Sequence, residues 1–274
     1  MNKYWGHDGG HLERNVGDVY TNNFDWICCQ DKIIKHKPTD PRTIYIKTDY
    51  LQKWYKDIVR EQDFILIVGA SDDSAQQHGI FNQMVKRAKW AYIENKIHTQ
   101  NKVSGLTVGL ATHSVEQENL LDSIRFKTKK LPKMDRIFCR WRTRSGQREK
   151  AFEWAINQPI CDVHYAELPV EEFYETTAGY KFTLCPVGWG HDPAPRIWEC
   201  LMLGSVPIVL KTHLTKECYG NLPVLLVSKW DDVTQRLLDT DGERASKRLQ
   251  KMSVHNYLSI ENQIRRINNY SRCS

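Results

Sequence analysis

Tyr180–Leu210 reads YKFTLCPVGWGHDPAPRIWECLMLGSVPIVL, and the order of residue types in it decides the fold. The apolar run Phe182–Cys185 has the length of a strand. It ends in a loop carrying Pro186, Gly188, Gly190, Pro193 and Pro195. Glycine lets a backbone approach its surroundings closely, and proline stiffens what remains. A helix then runs from Arg196 to Leu203, with Pro195 near its first position, where a missing N–H is tolerated. Gly204 follows as a C′ stop, and Val206–Leu210 (VPIVL) is a second buried strand. Strand, loop, helix and strand make one β-α-β unit, the building block of a parallel sheet covered by helices.

The same alternation recurs on both sides. Val224–Val227 is a further short strand, and Gly242–Tyr270 is mostly helical, with Leu249, Met252, Leu258, Ile264 and Ile267 as apolar positions. Upstream, Arg136–Trp141 (RIFCRW) is a strand, Gln147–Asn157 a helix and Cys161–Tyr165 a strand. Before the Lys-rich, proline-broken stretch Lys127–Lys133 there is an earlier series. Thr43–Lys47 is a strand, and Asp49 caps a helix over Tyr50–Arg60, where Leu51, Trp54 and Ile58 recur at helical spacing. Phe64–Val68 (FILIV) is apolar throughout, as in a strand buried on both faces, and Gly69 ends it. Ile80–Trp90 reads as a helix and Val103–Leu110 as a strand, while the first forty residues read as loop-rich. The expected class is α/β, with two facing Rossmann-like domains at 1-130 and 131-274 and a last helix able to pack back on the first. Open α/β sheets bind ligands at the carboxyl ends of their strands, which places the expected site in a cleft between two such ends.

The chain has 274 residues, 41% hydrophobic and 26% charged, which excludes a disordered or fibrous protein. A net charge of +6 suits an anionic ligand without specifying one. The densest basic run, Lys127, Lys129, Lys130 and Lys133, reads as a solvated linker, not as a nucleic-acid stripe, so no nucleic-acid partner is expected. Nine tryptophans lean slightly towards flat platforms for sugars. Eight cysteines contain no CxxC pair, and Cys139, Cys185 and Cys200 sit in apolar runs as buried thiols. The opening MNKYWGHDGG has no apolar signal core, and no apolar stretch has spanning length. The expectation is a cytoplasmic protein with free thiols and no membrane span.

Arg196 in the first turn of a helix opposes the helix dipole unless an anion lies there. Arg offers two parallel donors to a phosphate. Glu199, three residues on, shares its helix edge, and a carboxylate accepts from vicinal hydroxyls such as those of a ribose. The pair suits one nucleotide, and it equally suits an ordinary i,i+3 surface ion pair; spacing alone does not decide between them. Arg142, Arg144 and Arg148 follow the strand at Arg136–Trp141 and make a basic loop at its carboxyl end.

The segment resembles the nucleotide-sugar-binding half of exostosin-like glycosyltransferases. Lys181-Phe182, Pro186, Gly188, Gly190, Asp192, Arg196, Trp198-Glu199, Gly204 and Pro207-Ile208-Val209 carry the resemblance, continued by Leu222-Pro223-Val224 and Trp230. The loop is a residue longer than the family pattern, and Pro195 stands where relatives often have His. The first half is more loosely similar to short soluble members, at Tyr45–Asp49, Ile65–Asp72 and from Gly105 to His113. The resemblance implies a GT-B architecture, with the donor on the C-terminal domain and the acceptor on the N-terminal one. It implies an inverting transfer from a nucleotide sugar, most often a UDP-sugar with UDP-xylose among the candidates, to a hydroxyl of a glycan or glycoprotein. Donor contacts then fall on Arg196, Glu199, Arg148, Arg142, Gly188, Gly190, His191 and Asp192. Eukaryotic members usually carry a Golgi anchor that this sequence lacks, which points to a bacterial enzyme, a viral one acting in the host cytoplasm, or a trimmed piece of a longer chain.

An inverting transferase needs a general base beside the acceptor hydroxyl. Asp73 and Asp72 follow the strand at Phe64–Val68 and are the candidates, with His78, His113 and His191 as weaker ones. Asp239-Thr240-Asp241 is literally a DxD but sits in a polar stretch, so it reads as a turn. No essential metal and no cofactor beyond the nucleotide sugar are expected. The alternative is a non-catalytic nucleotide- or carbohydrate-binding module on the same scaffold. A dehydrogenase or methyltransferase is disfavoured, since no GxGxxG follows a strand and no Walker loop occurs.

Overall fold

The computed structural model describes residues 3–5, 23–29, 32–110, 115–142 and 146–269. His113 and Arg144 lie outside the described residues. The chain divides into two compact units, one of Met1–His113, Gly190–Asp192 and Asn256–Ser274, the other of Ser114–Trp189 and Pro193–His255.

The first unit is built on a six-stranded sheet of β1 (Trp26–Cys29), β2 (Lys32–Lys35), β3 (Thr43–Lys47), β4 (Ile65–Gly69), β5 (Trp90–Ile93) and β6 (Val103–Gly105), in the order β2-β1-β3-β4-β5-β6. Among the described strands of this sheet, only the β1–β2 pairing is antiparallel. The apolar stripe Leu51, Trp54 and Ile58 of α1 (Leu51–Ile58) and Phe81, Met84 and Val85 of α2 (Gly79–Arg87) pack with Ile44, Ile46, Leu66 and Val68 in one core. Burying each such side chain contributes roughly 1.5–3 kcal/mol, which is why these short elements hold.

Three local expectations change here. Asp49 does not cap α1; a 3-10 turn, Thr48–Tyr50, precedes that helix, and its N-cap Tyr50 makes no side-chain bond. Asp49 instead accepts from Ser71 Oγ at 2.6 Å and pairs with Lys47 Nζ at 2.9 Å. The helix expected over Ile80–Trp90 ends at Arg87, and Trp90–Ile93 is a strand, because parallel pairing with β4 and β6 prevails over helical spacing. Within the stretch read as loop-rich, Trp26, Ile27 and Cys28 are buried and β1 pairs with β3.

The second unit contains α3 (Val115–Thr128), β7 (Met134–Cys139), α4 (Gly146–Ala155), β8 (Cys161–Val163), α5 (Val170–Gly179), β9 (Tyr180–Leu184), α6 (Arg196–Met202), β10 (Val206–Leu210), α7 (His213–Tyr219), β11 (Leu225–Val227) and α8 (Glu243–Lys251). Its five strands are all parallel, in the order β11-β10-β9-β7-β8. Gly204 ends α6 with φ +75°, the left-handed conformation a C′ stop requires. The α/β class and the two parallel sheets are thus as the alternation indicates. After α9 (Val254–Leu258), α10 (Ile260–Asn268) packs in the first unit, where Tyr92 Oη donates to Arg266 O at 3.2 Å.

The second sheet reverses direction between β7 and β9. From β7 the chain moves to β8 on one side; from β9 it moves to β10 on the other. Such a switch point opens a crevice at the carboxyl ends of the two strands, the usual ligand position in α/β sheets. Among the parallel strands of the first sheet, the order β1-β3-β4-β5-β6 has no such reversal.

Asp239-Thr240-Asp241 is not a turn. It lies in a π-helical stretch, Leu238–Gly242, leading into α8. Asp239 Oδ1 accepts from Gln235 Nε2 at 2.8 Å, and Asp241 pairs with Arg244 at 3.1 Å, so both carboxylates serve the helix. Cys28, Cys139, Cys161, Cys185, Cys200 and Cys218 are buried free thiols. Among the described residues no helix is long and apolar enough to cross a membrane.

Candidate functional site

Two loops flank the switch point. The first follows β7. Trp141 Nε1 donates to Arg148 O at 3.1 Å, and Arg148 Nη1 donates to Arg142 O at 3.1 Å, which ties the first turn of α4 to the residues just past β7. Arg142 is exposed and pairs with exposed Glu167 at 2.6 Å. A pair this open is worth at most about 1 kcal/mol and yields easily to a better anion. The second loop follows β9 and brings Gly188 against the first: a Cβ at Gly188 would stand 3.1 Å from Arg148 Nη2. Glycine there lets the Arg148 guanidinium lie along the loop backbone.

Arg140, one residue past β7, was not singled out from the sequence. Its Nε donates to Ala166 O at 2.6 Å. Burial lowers its pKa, Glu167 opposes that, and the charges of Arg196 and Arg142 lower it further, so it shares their field. A cation just beyond the carboxyl end of a buried strand was the available signal.

Arg196 and Glu199 are brought together on α6, with Nε 3.6 Å from Glu199 Oε2. The guanidinium carbon lies 3.7 Å from the centroid of the Phe173 ring on α5. That stacking and the carboxylate offset the unfavourable first-turn position. One donor is left over: among the described residues, Arg196 Nη1 is buried and has no hydrogen-bond partner. An unmet buried donor costs about 1–3 kcal/mol in the free protein.

Glu199 has a side chain only 11% exposed, so the pair is not the surface ion pair that spacing also allowed. Its Oε1 accepts from Tyr174 Oη at 3.4 Å, and Tyr174 Oη accepts from Gln117 Nε2 at 3.0 Å. Burial first, then the Glu199 charge, pushes the Tyr174 pKa up, which keeps its hydroxyl a donor. Below the loop, Cys185 Sγ and Cys200 Sγ sit 3.8 Å apart, and burial raises the Cys185 pKa well above the usual range, leaving a neutral packing thiol.

The rest of the loop is held differently. Gly190–Asp192 belongs to the first unit. There Asn95 Oδ1 accepts from His191 N at 2.7 Å and Asp192 N at 2.9 Å, while Asn95 Nδ2 donates to Ser71 O at 2.6 Å. A Cβ at Gly190 would meet Asn95 Oδ1 at 2.8 Å, which accounts for glycine at that position. Asp192 is buried, and its Oδ2 accepts from Val108 N at 2.9 Å. His191 has an exposed side chain. Gly190 and Asp192 are therefore held within the first unit, by Asn95 and by Val108.

Asp72 and Asp73 are exposed on the loop after β4, whose Ser71 is the residue that Asn95 holds. Asp73 N donates to Ser71 Oγ at 3.3 Å. At neighbouring Asp49, burial works against the charge, but the Ser71 hydroxyl and Lys47 hold its pKa below the usual value. Beneath the loop, buried Glu94 accepts from Ala70 N at 2.7 Å. His78 is the half-buried residue before α2. Among the described residues, no three His, Cys, Asp or Glu side chains gather as a metal site needs.

No protein-family model matches the chain, and no curated protein matches it. Several solved structures do. The GtfA/B complex is similar over 84% of this chain and 56% of its own, at 13% identity and a TM-score of 0.38. The catalytic domain of starch synthase IV from Arabidopsis thaliana, bound to ADP and acarbose, is similar over 85% of this chain and 73% of its own, at 9% identity and a TM-score of 0.40. The pneumococcal O-GlcNAc transferase GtfA, in complex with UDP and GlcNAc, is similar over 84% and 53%, at 10% identity and a TM-score of 0.30. This chain spans little more than half the length of the first and third. Likenesses this slight carry no weight for donor, acceptor or reaction. The two parallel sheets stand on their own strand pairing.

Proposed function

We propose that the chain is an inverting, exostosin-like glycosyltransferase of GT-B arrangement. It moves a sugar from a nucleotide sugar, a UDP-sugar by preference and UDP-xylose among the candidates, to a hydroxyl of a glycan or glycoprotein. Residues 131-274 bind the donor and 1-130 the acceptor. The observation that carries this reading is Arg196 Nη1, buried and unpartnered among the described residues, beside a switch point where Arg140 and Arg142 follow β7 and Arg148 lies in the first turn of α4. A bound diphosphate supplies the missing acceptor. Glu199 takes the ribose hydroxyls, and Gly188 keeps the loop backbone close to Arg148. Gly190, His191 and Asp192 shape the loop through Asn95, and His191 lies free to reach a phosphate.

In the reaction the acceptor hydroxyl attacks the anomeric carbon as Asp73, or its neighbour Asp72, takes the proton. The bond from that carbon to the diphosphate breaks, and the nucleoside diphosphate leaves with the electron pair. Arg196, Arg148 and Arg140 stabilise the departing charge, so neither a metal nor another cofactor is essential.

A melting-temperature panel of UDP and UDP-sugars tests donor binding, since a ligand held only by the folded state raises the melting point. The wild type is expected to shift with UDP, and Arg196→Ala and Glu199→Ala to lose the shift. In turnover, Glu199→Ala should raise donor KM strongly, and Arg196→Ala should lower kcat/KM by more than about tenfold. Activity should persist in excess EDTA; loss rescued by Mn²⁺ would overturn the metal-free step. Near-normal kinetics in both variants, or no shift with any nucleotide, would sink the assignment.

A further inference from the structure

The end of α3 and the link into β7, Arg125–Met134 (RFKTKKLPKM), contain five cations and no acid. The sequence reading treats this stretch as a solvated linker, but the structure adds an apolar component. Phe126 is 84% exposed, Leu131 59% and Met134 48%, while Leu121 and Ile124 form the buried face of the same helix. Three exposed large apolar side chains in so short a stretch mark an interaction surface more than a tolerated exposure. Lys127, Lys129 and Lys130 are exposed, and none has a side-chain hydrogen bond or ion pair among the described residues.

Behind this rim lies a cavity of about 780 Å³. Arg125, Lys129, Lys130, Lys251 and His255 line it. Its one acidic lining residue, Glu243, pairs with Lys181 at 2.6 Å and Lys247 at 3.5 Å. Arg125 Nε is buried and, among the described residues, unpartnered, although Nη2 reaches Asp122 at 3.4 Å. Lys133 takes no part, because its amine donates to Ala178 O and Leu203 O. Lys133 and Gly204 just precede β7 and β10, and Lys181 is near the start of β9. The surface therefore sits at the amino ends of the strands, opposite Arg148 and Arg196.

We propose that this face docks on a bilayer surface rich in anionic phospholipid. Phe126 and Leu131 enter the boundary between headgroups and acyl chains. Lys127, Lys129 and Lys130 meet the phosphates, and the cavity takes one headgroup. Charge complementarity identifies an anionic occupant, and the apolar side chains set among the lysines favour a lipid surface over a nucleic acid. The inference is independent of sugar transfer.

Co-sedimentation with phosphatidylcholine vesicles, with and without phosphatidylserine, tests it on the full chain. The wild type is expected to bind only the phosphatidylserine vesicles, and less as salt rises. Lys129→Glu with Lys130→Glu should weaken binding by at least about tenfold. Phe126→Ser with Leu131→Ser should weaken it by a similar factor of about ten, with an unchanged circular dichroism spectrum, because both side chains are exposed. Failure of the wild type to bind phosphatidylserine vesicles overturns the proposal. Undiminished binding by the serine variant, or displacement by an equal charge of RNA, also overturns it, in favour of a soluble polyanion.

Discussion

At the carboxyl ends of β4 and β5 the protein satisfies its own polar groups. Glu94 holds the Ala70 N–H, Asn95 holds Ser71 O, His191 N and Asp192 N, and Asp192 holds Val108 N. At the carboxyl ends of β7 and β9 it does not. Among the described residues, Arg196 Nη1 is buried without an acceptor, and the Arg142 guanidinium pairs with an exposed glutamate. The difference separates two uses of the same chemistry. A group satisfied internally contributes to stability and gains nothing from a ligand. A group left wanting lowers the stability of the free protein, and a ligand removes that cost. On this view the first unit positions and the second unit binds. Substitutions should tell the two apart.

The largest expected effect tests the exposed carboxylates on the loop after β4 in the first unit. Asp73→Asn removes the proposed base while leaving its backbone N–H bond to Ser71 Oγ intact. We expect kcat to fall about 10²–10⁴-fold, as for the loss of a general base, with the UDP-induced melting shift unchanged. Asp72→Asn serves as the internal comparison. Should both variants turn over normally, the base lies elsewhere. If Asp73→Asn also abolished the melting shift, the division between positioning and binding would fail.

Next in size is Asn95→Ala. It deprives three backbone groups of partners and replaces an Asn at φ +53°, a conformation Asn tolerates better than Ala. Urea unfolding should show a loss of about 2–4 kcal/mol. Arg196→Ala removes an unmet donor but also the cation beside buried Glu199, so its loss should be smaller, about 1–2 kcal/mol. Equal losses in the two variants would break the comparison.

Asn95 also shows where sequence reading stops. Its partners are up to 97 residues away, and nothing in the pattern around Glu94-Asn95-Lys96 announces them. β5 was hidden for a related reason: four residues, WAYI, follow a helical pattern directly and become a strand through non-local pairing with β4 and β6. The elements that were legible carry their own signal. β3, β4 and β10 are short apolar runs buried along their length, and α6 with Gly204 has loop, helix and stop in order. Arg196 and Glu199 were legible as a pair, but not their supports. Phe173, Tyr174, Thr177 and Ala178 are the buried face of α5 at helical spacing. That spacing is visible in VEEFYETTAG, so Phe173 and Tyr174 were open to discovery, whereas their proximity to α6 was not.

Tyr174 gives the finest test of the comparison, because it is a satisfied group serving an unsatisfied site. It sits between Gln117 and Glu199, and its bond to the carboxylate is long, at 3.4 Å. Tyr174→Phe keeps the ring and removes only the hydroxyl. If Glu199 grips the ribose, its carboxylate should lose orientation, and donor KM should rise by about two- to tenfold with kcat unchanged. Burial and the Glu199 charge hold the Tyr174 pKa above its ordinary value. The hydroxyl thus stays protonated through neutral and mildly alkaline pH, and the effect should not vary with pH there. A fall in kcat at constant KM would instead place Tyr174 in the chemistry. A change in neither would mean that Glu199 is oriented without it, leaving Arg196 and Phe173 as the fixed frame of the site.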